Sequence, residues 1–316
     1  MKRILLASAA FALSLSLAFS AQAQEKKQLV FVVNASADFW KIAEAGIKKA
    51  QEELPNYEMT LKYPEQSSAA LQQRLMDDLV AAGADAIMVS SIDPKTSTES
   101  LDRIASQIPL FTTDSDAPQS KRIAYIGSSN TELGKDAGKL MLKALPDGGK
   151  CIGFVGLPGA DNARERIEGV REVLKGTKVE LTDVRGDDVD FARAKRNVAD
   201  ALSAMPDVKC MVGFYSYNTP LIYETLKESG KIGEIKIIGF DEDFVTLGGV
   251  REGAIEGTVV QNPYMWGYEG MKLMAKYVEG DKSGVPADGL IIVPGQVIDK
   301  SNVDAYEAEL RKRVGK

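Results

Sequence analysis

The sequence predicts an α/β protein of two similar, doubly wound lobes, each built on a parallel sheet. Three observations support this fold class. Short apolar, β-branched runs such as residues 29–33 lack polar alternation, which is typical of strands buried on both faces. A segment with apolar residues at helical spacing follows most of these runs, and this alternation indicates a parallel sheet. The series starts again at Cys151, and two such sets exceed what one sheet usually contains.

The predicted elements can be placed along both halves of the chain. In the first half, strands are predicted at 29–33, 58–63, 86–89, 110–113 and 123–126, and helices at 39–50, 69–82, 96–106 and 131–145. In the second half, strands are predicted at 151–155, 179–184, 210–214, 235–240, 258–261 and 289–293, and helices at 163–174, 191–204, 220–229, 244–251, 263–278 and 303–313.

Two glycines occupy matching places in the first helix of each half. Gly46 and Gly169 both lie in the middle of a predicted helix. Glycine costs about 1 kcal/mol in a helix interior. We therefore expect Gly46 and Gly169 to allow close packing on a sheet.

Residues 1–23 have the pattern of a secretory signal peptide. Lys2 and Arg3 are followed by an apolar stretch over 4–19 and by Ala21-Gln22-Ala23, a small-x-small cleavage pattern. The mature chain is expected to begin at about Gln24, without a lipid anchor, because no cysteine lies near the cleavage site. The expected product is an exported protein that does not insert into the membrane.

Composition narrows the classes of function. The net charge of −6 over 316 residues argues against nucleic acid as a partner. The chain has no histidine, which removes the commonest general base and metal ligand. Glycine-rich nucleotide motifs are also missing, since Gly153, Gly156 and Gly159 have the wrong spacing. We therefore predict no enzyme activity, no catalytic residue, no metal site and no cofactor.

Cys151 and Cys210 are the only cysteines, and each opens an apolar, strand-like run. Two explanations remain open. An exported protein can contain a disulfide between them, or both can be buried as small apolar side chains.

Polar and aromatic side chains follow predicted strands in both halves, where α/β sheets bind ligands. After the first strand come Asn34, Asp38, Phe39 and Trp40; further along come Asp114, Arg164, Asn218, Asp241 and Gln261. Structural roles remain open as alternatives. The aromatics can anchor the core, the aspartates can cap helices, Arg164 can form an ion pair with Glu168, and Gln261 can simply end its strand. Asp190 is assigned to a helix cap.

Taken together, these groups match the chemistry of a neutral sugar. Carboxylates, amides and a guanidinium offer both donors and acceptors to hydroxyl groups, and aromatic rings stack on C–H faces. Hydrogen bonds to charged groups are about twice as strong as neutral ones. If the lobes face each other, these groups converge on one cleft.

Five segments also resemble one known family. They are residues 38–46, 109–114, 163–169, 238–241 and 259–261. In this order and spacing they resemble the periplasmic sugar-binding proteins of the ribose-binding type, which serve ABC importers. The resemblance extends over residues 28–300.

The resemblance implies a periplasmic binding protein of type I, with two lobes joined by a three-segment hinge. The expected lobes are 24–128 with 262–291, and 129–261 with 292–316. It implies stacking at Phe39 and Trp40, and hydroxyl binding at Asp114, Arg164, Asp241 and Gln261. Ser90 and the turn Ser216-Tyr217-Asn218 would replace two family asparagines, and Phe191 would form a further wall.

This chain also departs from the family pattern. Ser115 replaces an arginine, and Ser216-Tyr217 replaces an Asn-Asp pair. We therefore do not name the sugar. The expected function is capture of a small neutral sugar or polyol in the periplasm and its delivery to a membrane permease. The alternative is presentation of the sugar to a membrane sensor kinase.

Overall fold

The computed structural model describes residues 26–315 and contains two six-stranded sheets. The predicted signal peptide, residues 1–23, lies outside the described residues. Among residues 26–315, no helix is both long and apolar enough to span a membrane.

The first sheet has the order β11-β5-β4-β3-β1-β2, and all of its strands are parallel. Its strands are β1 (Lys27–Val32), β2 (Tyr57–Lys62), β3 (Ala86–Val89), β4 (Leu110–Thr113), β5 (Tyr125–Gly127) and β11 (Leu290–Ile292). Its central strands β3 and β4 are buried at every residue. β3 is apolar throughout, as expected for a strand covered on both faces, whereas β4 ends in two buried threonines.

The second sheet repeats this plan with the order β12-β10-β9-β8-β6-β7. Its strands are β6 (Gly149–Val155), β7 (Val179–Gly186), β8 (Val208–Gly213), β9 (Lys236–Phe240), β10 (Gly257–Val260) and β12 (Gln296–Ile298). Only β12 runs antiparallel to its neighbour, β10. β12 was not predicted from the sequence, because its antiparallel pairing with β10 is a long-range contact.

Ten helices, counted over the described residues, cover the sheets. They are α1 (Trp40–Glu53), α2 (Ala69–Ala81), α3 (Pro94–Ala105), α4 (Asn130–Ala144), α5 (Asp161–Leu174), α6 (Phe191–Ala204), α7 (Asn218–Glu228), α8 (Phe244–Glu252), α9 (Pro263–Val278) and α10 (Val303–Val314). The Asp190 carboxylate accepts a hydrogen bond from the Arg193 amide and caps α6, as predicted.

The chain passes between the two sheets three times. It leaves the first sheet after β5, returns to it after β10, and leaves again between β11 and β12. Helix α4 packs on α5 beside the second sheet, whereas α9 packs on α1 beside the first. The predicted fold class, two doubly wound lobes of the type I binding-protein kind, is confirmed.

The two matching glycines pack against helices, so the expectation that they pack on a sheet was wrong. A Cβ at Gly46 would lie 2.0 Å from the carbonyl oxygen of Tyr264 in α9. A Cβ at Gly169 would lie 2.2 Å from the carbonyl oxygen of Thr131 in α4. Both glycines therefore permit backbone contact between two helices of one lobe.

Cys151 and Cys210 lie directly opposite each other on β6 and β8. Both are fully buried free thiols, so the structure does not contain the possible disulfide. Their surroundings are apolar, and burial raises the pKa of the Cys210 thiol well above its ordinary value. The structure thus favours the alternative of small buried apolar side chains.

Candidate functional site

The carboxyl ends of strands from both sheets meet at one cleft. A cavity of about 30 Å³ lies there, which is room for one or two water molecules. Its lining combines five residues of the predicted stacking and hydroxyl-binding set with residues that were not predicted from the sequence. The lining residues are Asn34, Ala35, Ala37, Phe39, Trp40, Asp114, Asn162, Arg166, Tyr215, Ser216, Tyr217, Asp241 and Gln261.

Asp114 follows β4 and places its carboxylate on the first-lobe side of the cavity. Its φ of 53° lies in the left-handed region, which aspartate tolerates better than most residues. Two hydrogen bonds from its own lobe fix the carboxylate: Ser90 Oγ donates at 2.7 Å and Asn34 Nδ2 at 3.2 Å. Burial raises the pKa of Asp114 even though Arg166 and these donors oppose that shift.

Asp241 is the counterpart of Asp114 in the second lobe. It follows β9, also has a left-handed φ of 64°, and is buried. Gln261 Nε2 donates to its carboxylate at 3.0 Å. Burial raises the pKa of Asp241 to about 6, while Arg166 and Gln261 pull it down and Asp114 pushes it up.

Arg166 is the arginine that enters the cleft. Its side chain is 1% exposed, and its guanidinium lies 3.8 Å from a carboxylate oxygen of Asp114 and 3.8 Å from one of Asp241. Its Nη1 donates to the carbonyl of Phe214 at 2.6 Å, and its Nε donates to Asn130 at 2.9 Å. Within residues 26–315, Nη2 has no hydrogen-bond partner.

The choice of Arg164 as the ligand-binding arginine was therefore wrong. Arg164 lies in the first turn of α5, two residues before Arg166, so its side chain points about 200° away around the helix. It pairs with Asp161, its side chain is 32% exposed, and it is absent from the lining of the cavity between the described residues. The predicted pair with Glu168 is replaced by this pair with Asp161.

Asn162 and Tyr215 are site residues that the sequence analysis missed. Asn162 Nδ2 donates to both carboxylate oxygens of Asp114, at 3.1 and 3.0 Å, and so joins the two lobes. The Tyr215 hydroxyl donates to Asn162 Oδ1 at 3.0 Å. The spacing of Asn162 and Arg166, four residues apart on one helix face, could have indicated this cluster.

Phe39 and Trp40 line the cavity and also contribute to the core of the first lobe. Trp40 is almost fully buried and packs edge-on against Phe31, with ring centroids 5.5 Å apart. Phe39 is half-buried and contacts Trp40 and Trp266. The core role considered for these aromatics is thus present, and both rings also line the cavity, since Phe39 precedes α1 and is not restricted to one helix face.

The turn after β8 reaches the cleft with Ser216 and Tyr217 but not with Asn218. The Asn218 side chain turns away and donates to Asp187 Oδ2 at 2.9 Å, so it is not among the described residues that line the cavity. The Tyr217 hydroxyl donates to the other oxygen of Asp187. Burial raises the pKa of Asp187 to about 6.

The remaining predicted positions surround the cavity. Ser90 lies behind Asp114 as a donor, not on the cavity surface described above. Phe191 stacks on Tyr217, with ring centroids 4.6 Å apart, and faces a wider groove of about 1300 Å³. Asp38 lines the same groove and pairs with Lys41. Over residues 26–315, no cluster of side chains could hold a metal ion.

The fold and the cleft define a two-lobed ligand-binding protein. Residues 29–282 match the model of the periplasmic binding protein domain family, and the chain belongs to this family. The predicted resemblance to the sugar-binding proteins of the ribose-binding type is confirmed, and with it the class of solute-binding transport proteins.

Individual relatives agree with this assignment. The ribose import binding protein RbsB of Escherichia coli is 26% identical over 293 residues, which cover 91% of this chain and 98% of that protein. RbsB of Salmonella typhimurium is 25% identical over 280 residues, covering 88% of this chain and 93% of that protein. These relatives are named as import proteins, which favours transport over the sensing alternative.

A solved structure shows the same architecture. An ABC transporter solute-binding protein from Burkholderia graminis, in complex with D-arabinose, superposes with a TM-score of 0.83. It is 26% identical, and the match covers 89% of this chain and 98% of that one.

Proposed function

We propose that this chain is exported to the periplasm, traps a neutral monosaccharide or polyol between its lobes, and delivers it to the permease of an ABC importer. One observation carries the proposal. The Arg166 guanidinium lies between Asp114 and Asp241, two buried carboxylates that follow strands of different sheets. A ligand at this point can bind both lobes at once only when the cleft is closed.

The unpartnered polar atoms of the cleft support a hydroxylated ligand. Arg166 Nη2 is a buried donor and Gln261 Oε1 a buried acceptor, and neither has a partner among the described side chains or backbone. A buried polar group without a partner costs about 1–3 kcal/mol. A sugar hydroxyl donates and accepts, so a single ligand group can satisfy both needs.

Closure then follows from differential stabilisation. The open form exposes the binding groups of each lobe separately, whereas the closed form lets one ligand contact both sets. A ligand shifts the equilibrium only by the difference between its affinities for the two forms. The cavity has room for only one or two water molecules, so the lobes must part further before a sugar fits between them.

The relatives support a sugar but do not fix which one. The names and complexes reported above mention ribose and D-arabinose. This chain has Ser115 after the first-lobe aspartate, and the Ser115 hydroxyl accepts a hydrogen bond from the Asp161 amide, which belongs to the second lobe. That contact alters the wall beside Asp114 and supports a proposed ligand class broader than ribose.

A thermal-shift screen of neutral sugars and polyols tests the proposal. Bound ligand stabilises the folded chain by mass action, so the melting temperature should rise with the concentration of at least one sugar. Sugar phosphates and amino acids serve as charged controls and should give no shift. Absence of a shift with every neutral sugar would contradict the proposed function.

A further inference from the structure

An open groove continues from the polar cavity along the boundary between the lobes. The cavity and the groove share four lining residues, Ala37, Phe39, Ser216 and Tyr217, so they lie side by side in the cleft. The first-lobe wall of the groove extends along α1 from Lys41 to Gln51, a length of about 15 Å at 1.5 Å per residue. This length exceeds what one sugar ring occupies.

Aromatic side chains from both lobes line this groove outside the polar cavity. Tyr63 follows β2 in the first lobe and is 38% exposed, and Phe191 begins α6 in the second lobe and is 47% exposed. Exposed aromatic faces stack on the C–H faces of sugars. Tyr63 lies near Glu44 and Asp38. Burial raises the pKa of the Tyr63 hydroxyl most, and these two carboxylates raise it further. The outer groove therefore offers both stacking faces and hydrogen-bonding groups.

Glu242 connects the outer groove to the polar cavity. It is 4% exposed, lines the groove, and directly follows Asp241 of the cavity. Its carboxyl group interacts with the Tyr306 hydroxyl, whereas its buried Oε2 has no hydrogen-bond partner in the part of the chain that the structure describes. Burial and the neighbouring Asp241 raise the pKa of Glu242 well above its ordinary value. A ligand hydroxyl in the groove would supply the missing partner.

We propose that the groove is a second sugar subsite, so that this chain binds a disaccharide or longer oligosaccharide. Once the lobes have parted to admit it, the terminal sugar contacts Asp114, Arg166 and Asp241, and the next unit stacks between Tyr63 and Phe191 with a hydroxyl on Glu242. This inference rests on the proposed function, because it extends a ligand whose first unit binds in the cavity.

Calorimetric titration of matched sugar pairs tests the second subsite. The pairs are D-xylose with xylobiose, D-glucose with cellobiose, and D-galactose with β-1,4-galactobiose. We expect at least one disaccharide to bind at least tenfold more tightly than its own monosaccharide. Tyr63→Ala should weaken that disaccharide about fivefold or more and leave monosaccharide affinity within twofold, while Tyr63→Phe, which retains the ring, should restore disaccharide binding.

Val245→Ala is the matched control, since Val245 is exposed close to the groove but does not contribute to its described lining. It should change neither affinity. Melting temperatures without ligand verify that each variant folds. The second subsite is refuted if every disaccharide binds no better than its monosaccharide, or if Tyr63→Ala weakens both sugars equally. If the monosaccharides bind and the disaccharides do not, only the second subsite fails; if no sugar of either size binds, the proposed function fails with it.

Discussion

The Asn162 side chain in the second lobe donates a hydrogen bond to the Asp114 carboxylate in the first, with Nδ2 3.0 Å from Oδ2. This contact crosses the cleft and is made by the protein's own side chains. The same carboxylate accepts hydrogen bonds from Ser90 and Asn34 inside its own lobe. These bonds fix its position at the point where Asn162 of the other lobe contacts it. The protein itself therefore contributes part of the free energy that stabilises the closed form.

Replacing Asn162 with alanine should open the unliganded protein. A hydrogen bond to a charged group contributes about 1.5–3 kcal/mol. Its loss should shift the equilibrium between closed and open forms about tenfold or more towards the open form. Small-angle X-ray scattering should record a larger radius of gyration.

Asn34→Ala is the control for this experiment. Asn34 donates to the same Asp114 oxygen at 3.2 Å but from the same lobe, so its removal leaves the contact across the cleft intact. An equal change in the radius of gyration for both variants, or no change for Asn162→Ala, would contradict the role assigned to Asn162.

Replacing Gly46 or Gly169 with alanine should destabilise the fold. The added Cβ would approach a backbone carbonyl of the neighbouring helix within about 2 Å, at 2.0 and 2.2 Å respectively. Overpacking of this kind typically costs 1–3 kcal/mol, and separation of two packed helices can cost more. Urea denaturation should show the loss in the free energy of unfolding.

Gly248→Ala is the matched control because Gly248 also lies inside a helix, α8. A Cβ there would meet no atom of residues 26–315 within 4 Å. Alanine should therefore stabilise the chain by about 0.5–1 kcal/mol through its higher helix propensity. If Gly248→Ala also destabilises the fold, or if Gly46→Ala and Gly169→Ala both leave stability unchanged, close contact between helices is not what makes these glycines necessary.

Replacing Asp187 with asparagine should change how stability depends on pH. Asp187 has a folded-state pKa of about 6, above its ordinary value of 3.8, because its carboxyl group is buried. The folded chain therefore binds the proton more tightly than the unfolded chain. The contribution of Asp187 to the free energy of unfolding is fully present below about pH 4 and is lost as the pH rises through 6. This change amounts to roughly 3 kcal/mol at most.

Asparagine carries no titratable proton, so the stability of Asp187→Asn should fall less between pH 4 and pH 7 than that of the native chain. Unfolding free energies from urea titrations across this range provide the comparison. Asp190→Asn is a suitable control, because the cap interaction with Arg193 lowers the pKa of Asp190 and gives a dependence of opposite sign. Parallel curves for the native chain and Asp187→Asn would contradict a raised pKa at Asp187.

The fold was predictable because its strands are buried on both faces. β3 is a continuous apolar run, and a run of this kind can be recognised without knowing its neighbours. The three-residue strand β12 was missed because its pairing with β10 is a long-range contact that leaves no local pattern. The partners of Gly46 and Gly169 were also set by tertiary structure, since a helix glycine indicates close approach but not the approaching element.

The site was predictable where strand ends placed it. Asp114 and Asp241 directly follow strands of different sheets, and both line the cavity. Arg164 was selected in place of Arg166 because both arginines lie near the start of α5. They differ only in the side of the helix to which each side chain points. That phase was present in the sequence: Asn162, Arg166 and Val170 recur at intervals of four and are all buried.

Asn218 shows the limit of strand-end reasoning. It lies three residues beyond Tyr215, and the turn between them directs the Asn218 amide towards Asp187. The two adjacent positions, Ser216 and Tyr217, face the cleft. Side-chain direction within a turn depends on backbone angles that residue type alone does not specify.

Calorimetric titration of Arg166→Lys and Arg164→Ala, with whichever sugar the thermal-shift screen identifies, tests the central claim most directly. Lysine retains the charge but cannot reproduce the fixed fork of guanidinium donors between Asp114 and Asp241. We expect Arg166→Lys to bind the sugar at least tenfold more weakly, while Arg164→Ala stays within twofold of the native chain. Native affinity in Arg166→Lys, or a larger loss in Arg164→Ala than in Arg166→Lys, would contradict it.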